Sequence, residues 1–81
     1  MKLRKSNEKI EAIKRKRMGA GFFTLQDMAE CMSSRGAKMT RQTYRNKEVG
    51  ATKFNTDEIE VLADVFGMSL RDAIHFFNDA D

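Results

Sequence analysis

Residues 41–48 read Arg-Gln-Thr-Tyr-Arg-Asn-Lys-Glu, with Thr40 placed to cap a helix. Tyr44 is the strong apolar anchor in this run, with Met39 before it and Val49 after it. A helix this polar is not held by its own burial. It presents long hydrogen-bonding side chains outward from a short footprint. At helical spacing Arg41, Gln42 and Arg45 share one face and Tyr44 anchors the opposite one. The chemistry open to such a set is recognition of flat polar edges. A guanidinium pairs with O6 and N7 of guanine, and a carboxamide with N6 and N7 of adenine, in a major groove wide enough to admit a helix. Arg41, Gln42, Arg45 and Asn46 carry these groups.

Other chemistries lack their parts. Cys31 is the single cysteine, so it forms no internal disulfide and no two-Cys metal site, and its position flanking an apolar face reads as packing. His75 has no Cys or acid at ligand spacing and reads as a surface residue. Asp79 and Asp81 read as solvated chain-end acids. With no nucleophile–base pair and no Gly-rich phosphate loop after a strand, the expectation is a non-enzyme without metal or cofactor.

The elements that must position the polar run belong to one small domain of 81 residues with 41% hydrophobic residues and six Phe. That apolar fraction is too high for a disordered chain. No apolar run approaches the roughly 18 residues of a membrane span. Residues 1–10 are basic but lack the apolar stretch of a signal peptide. A cytoplasmic setting, in a prokaryotic cell or a phage-infected host, is therefore expected. Charge is divided steeply along the chain. Residues 1–53 carry 14 Lys/Arg against 5 Asp/Glu, a net of +9, and residues 54–81 carry 1 Arg against 7 acids, a net of −6, which leaves +3 overall. A basic front and an acidic back suggest a polyanion partner on one face only.

Five helices and no strand are expected: residues 7–17, 25–34, 41–48, 56–66 and 70–78. Ser6, Thr24, Thr40, Asn55 and Ser69 stand as N-caps. Asp27 and Glu58 occupy the third helical position of capping boxes, Asp being the shorter and poorer choice. Gly19 and Gly21 are expected to stop the first helix after a cationic end, Lys14 to Arg17, and Gly67 to stop the fourth. Leu25, Met28, Ala29 and Met32 form one face, and Ile59, Leu62, Ala63 and Phe66 another. On the last helix Leu70, Ile74 and Phe77 are expected to face inward, leaving Phe76 off that face as an apolar surface for self-association.

In this order the segment Thr24 to Ala73 resembles the helix-turn-helix domain of phage repressors, Cro proteins and the XRE family. Thr24-Leu25-Gln26-Asp27-Met28-Ala29-Glu30 is similar to the opening of that family's second helix, with Ala29 at the small position where the motif helices cross. Met39-Thr40-Arg41-Gln42-Thr43-Tyr44 resembles the start of its recognition helix, and Glu48 and Gly50 the acid and glycine that close it. Asn55 through Leu70 resembles the fourth helix, its glycine terminator and the start of the fifth. The likeness covers about two-thirds of the chain.

The resemblance implies an all-α, five-helix, lambda-repressor-like domain, with the motif at about 24–48 and residues 1–6 as a flexible basic arm. It implies a small Cro-like repressor or regulator that binds double-stranded DNA, with Arg41, Gln42, Arg45 and Asn46 contacting bases. Thr40 and Thr43 would approach phosphates or a thymine methyl. Thr24, Gln26, Arg35, Lys38 and Lys53 are the further backbone contacts, with Lys2, Arg4 and Lys5, and the run Lys14 to Arg17, as flexible or helix-end cations along a groove. A homodimer, with Phe76 at its interface, would place two such helices about 34 Å apart on an inverted repeat. No small-molecule effector is expected.

Three departures stand out. Six residues, Ser33 to Lys38, lengthen the turn between Ala29 and Met39. Lys47 replaces a buried aliphatic residue, so Val49 or the stem of Lys47 must cover the gap. Leu25 stands where many members place a phosphate-binding Gln, a role Gln26 takes only if the helix is rotated. The rival to DNA binding is a protein-interaction module, or antitoxin-type regulator, on the same fold. Its binding would survive Arg41→Ala and Gln42→Ala but fail on changes at Phe76 or the acidic C-terminal face.

Overall fold

The computed structural model describes residues 6–78; Lys2, Arg4, Lys5, Asp79 and Asp81 lie outside them. Five helices follow one another, with no strand among the described residues: α1 Asn7–Gly19, α2 Leu25–Ser34, α3 Arg41–Glu48, α4 Thr56–Phe66 and α5 Leu70–Asn78. The expected boundaries of α2 to α5 agree with this. The first helix runs two residues further than expected, through Gly19, and Gly21 (φ 98°) makes the turn beyond it.

Each start has a side-chain cap. Ser6 accepts from the Lys9 N–H at 3.1 Å, Thr40 from Thr43 at 3.1 Å and Ser69 from Asp72 at 3.1 Å. Both capping boxes form, and their geometry follows side-chain length. Glu58 accepts from the Asn55 N–H at 2.8 Å, whereas the shorter Asp27 reaches the Thr24 N–H only at 3.4 Å. Gly67 ends α4 in the left-handed region, at φ 66°.

The core gathers Ile13 of α1, Met28, Ala29 and Met32 of α2, Tyr44 of α3, Ile59, Leu62 and Ala63 of α4, and Ala73 and Phe77 of α5. Helix α4 packs against α5, and α2 packs against both α3 and α4. Aromatic rings thread the interior: Tyr44 lies 5.9 Å from Phe54, and Phe54 lies 5.8 Å from Phe77, edge-on.

Two expectations about faces are overturned. The inward residues of α5 are Ala73 and Phe77; Leu70 and Ile74 are each 42% exposed. Small Ala73 faces the packed side, so the buried arc centres on the 73/77 pair and leaves the larger aliphatics on its flank. Phe76 is not left outside. Its ring sits edge-on to Phe77 at 5.0 Å, under the ammonium groups of Lys9 (4.7 Å) and Lys16 (5.6 Å). Arg17, read as part of a cationic helix end, is buried.

The lengthened turn is folded down rather than looped out. Ala37 and Met39 are buried, Ala37 N–H donates to the Met32 carbonyl at 2.9 Å, and Gly36 (φ 97°) makes the reversal. The Ser33 hydroxyl both donates to the Met39 carbonyl and accepts from its N–H, each at 3.1 Å.

Candidate nucleic-acid interface

Helix α3 is fastened from below at two points. Tyr44 is fully buried, and Glu48 is buried against α1. The Glu48 carboxylate accepts from Arg17 Nε at 3.0 Å and from a second guanidinium nitrogen at 3.4 Å, and Arg17 also donates to the Phe22 carbonyl at 2.9 Å. The pair is satisfied on both sides, the condition under which a buried ion pair persists. Burial, then the neighbouring Glu48 carboxylate, pushes the Tyr44 phenol well above its ordinary range.

With its underside held, α3 turns its polar residues out. Arg41, Gln42, Thr43 and Arg45 are exposed and Asn46 is half-buried. The side chains of Arg41 and Arg45 make no hydrogen bond or ion pair with another described residue. Gln42 Nε2 donates to Asn46 Oδ1 at 3.0 Å, one turn apart, which orders two amides side by side. The Thr40 hydroxyl, besides capping, hydrogen-bonds that of Thr43 at 3.0 Å.

A groove between α2 and α3 is lined by Gln26, Ala29, Glu30, Ser33, Met39, Thr40 and Arg41. Gln26, Thr40 and Arg41, separate in sequence, thus share one surface. Gln26 is exposed and donates to Glu30 at 3.0 Å, while Leu25 is half-buried. Glu30 was not among the residues singled out from the sequence; it lines the same groove as Arg41, and a carboxylate accepts from the exocyclic amine of cytosine.

The remaining phosphate candidates divide. Thr24, Lys38 and Lys53 are exposed. Lys53 lies in the loop joining α3 to α4, where its carbonyl accepts from Lys47 at 3.3 Å. Lys47 also meets Glu58 at 2.7 Å, so a largely buried ion pair fills the place for which an aliphatic residue was expected, and Val49 is half-buried. Arg35 is turned elsewhere. It pairs with Asp64 of α4 at 2.8 Å, over a groove that Asp57 and Glu60 also line. Those acids oppose a phosphate there.

The arrangement offers hydrogen-bond donors and acceptors. Among the described residues no group of three or more His, Cys, Asp or Glu is placed to hold a metal ion, and no helix is long and apolar enough to cross a membrane. Comparison with protein families, characterised proteins and solved structures finds no match.

Proposed function

We propose that this chain is a sequence-specific DNA-binding regulator of the Cro-like helix-turn-helix kind, with α3 as its recognition helix. One observation carries the proposal: Arg41, Gln42 and Arg45 stand exposed on a helix held from beneath by Tyr44 and Glu48. Base-edge recognition needs long polar side chains, projecting from a fixed helix, without internal partners to outbid. The two guanidiniums meet that need, and the Gln42–Asn46 pair presents a planar amide array of the kind that suits adenine. Thr24, Gln26, Thr40, Lys38 and Lys53 supply sequence-independent contacts that set the register. Arg35 has no part in this. The proposed partner form is a homodimer on an inverted repeat, and its contact face is better sought at exposed Leu70 and Ile74 than at Phe76.

The test is selection of bound duplexes from a random pool, with wild-type protein and with Arg41→Ala/Gln42→Ala. An inverted repeat enriched by the wild type and lost in the double variant supports the proposal. Equal enrichment by both would overturn it. A complex that neutralises about 6–10 phosphates loses about 10³–10⁵ in affinity between 50 and 200 mM salt, so an affinity indifferent to salt counts equally against it.

A further inference from the structure

The loop between α3 and α4 is gripped from a distance. The side chain of Asn78, the last residue of α5, closes two hydrogen bonds on one peptide position of that loop: Phe54 N–H donates to Asn78 Oδ1 at 2.9 Å, and Asn78 Nδ2 donates to the Phe54 carbonyl at 3.0 Å. A carboxamide matched to both backbone groups of one residue mimics a strand partner, and any rotation of that peptide loses both bonds together. The Phe54 side chain is buried between Tyr44 of α3 and Phe77 of α5, so ring and backbone are held by neighbouring elements. The residue immediately before it is Lys53, whose carbonyl is tied to Lys47. Lys53 itself is exposed.

We infer that Asn78 is a positioning residue for the proposed DNA contact: by fixing the peptide at Phe54 it holds Lys53 where its ammonium meets a phosphate. This rests on the DNA-binding proposal and adds to it a distant residue, on α5, through which the loop is set. Without that clamp the peptide at Phe54 rotates and carries Lys53 away from the phosphate, so the contact and the counterion it releases are lost together. Asn78 touches no nucleic acid in this account.

The experiment titrates salt against binding of a short, fluorescently labelled, mixed-sequence DNA duplex by wild type, Lys53→Ala, Asn78→Ala and the double variant. Loss of one phosphate contact lowers the slope of log K against log salt by about 0.9. Lys53→Ala and Asn78→Ala are each expected to lower it by that amount, and the double variant by no more than either. A merely destabilised protein loses a folded fraction, which weakens binding at all salt concentrations and leaves the slope alone. Hydrogen exchange at the Phe54 amide is read in parallel, and protection is expected in wild type and lost on Asn78→Ala. Asn78→Ser, a milder truncation that keeps one polar atom, substitutes if the alanine variant does not fold. A slope unchanged by Asn78 substitution while Lys53→Ala lowers it overturns the inference and spares the DNA-binding proposal. A wild-type chain that binds no duplex overturns both.

Discussion

Arg17 near the end of α1 and Glu48 at the end of α3 meet at 3.0 Å with side chains only 4% and 3% exposed. Thirty-one positions apart, they fix where α3 ends relative to α1. Removing one member leaves a charge without a partner in the interior, which costs more than the pair itself contributes. Glu48→Gln or Arg17→Met is therefore expected to cost about 3–5 kcal/mol. Arg17→Met/Glu48→Leu together should recover most of that loss. Urea midpoints at constant m-value check it. If the double change costs the sum of the two single changes, the two residues are not coupled.

Tyr44 makes stability sensitive to alkali. Its phenol titrates well above its ordinary value in the folded protein, and near about 10 when unfolded. Above that pH the unfolded chain gives up the proton first, so it binds fewer protons than the native state and stability falls as pH rises. Below about pH 10 both states hold the proton and this residue adds no slope. Tyr44→Phe should flatten the alkaline fall relative to wild type. At pH 7 position 44 is uncharged in both proteins, so any difference there reports the phenol's contact with the buried Glu48 carboxylate and not a titration. Paired denaturation curves across the alkaline range measure both effects. Equal alkaline slopes would exclude Tyr44 as their source.

Local patterns carried most of the architecture. Caps at Thr24, Thr40 and Asn55, and the 3.6-residue stripe of α4, are written in adjacent residues, so α2 to α5 were legible to their ends. The exposed face of α3 was legible for the same reason. What escaped were relationships over long sequence separation: Arg17 with Glu48, Asn78 with Phe54, Arg35 with Asp64. A cation at a helix end reads as a dipole partner whether or not an acid arrives from elsewhere. On α5 the apolar residues at 70, 73, 74, 76 and 77 span more arc than one contact can bury. Periodicity alone could not say which edge stays out, and packing on α4 decided it.

Arg41 and Lys53 should fail differently. If Arg41 pairs with a guanine, Arg41→Ala costs about 1–3 kcal/mol on the preferred duplex and relaxes preference at one base pair. Lys53→Ala weakens all duplexes alike and lowers the salt slope by about 1. Binding of a selected duplex and its single-base variants, by both proteins at two salt concentrations, separates the cases. Uniform weakening by Arg41→Ala would make it a phosphate contact instead.

Leu70 and Ile74 give α5 an apolar flank, and exposed Arg71 and Asp72 lie beside them. Opposite charges next to an apolar pair let the same surface face itself about a two-fold axis, as a closed dimer requires. Ile74→Asp puts a charge at the centre of that contact and should weaken self-association about tenfold or more. Phe76→Ala acts otherwise: its ring packs on Phe77 under Lys9 and Lys16, so its loss lowers stability and leaves association of the folded protein intact. Sedimentation equilibrium, free and with an inverted-repeat duplex, distinguishes the two variants. Weakening by Phe76→Ala with none by Ile74→Asp would return the contact face to Phe76. A wild-type chain that stays monomeric in both settings would remove the dimer from the proposal.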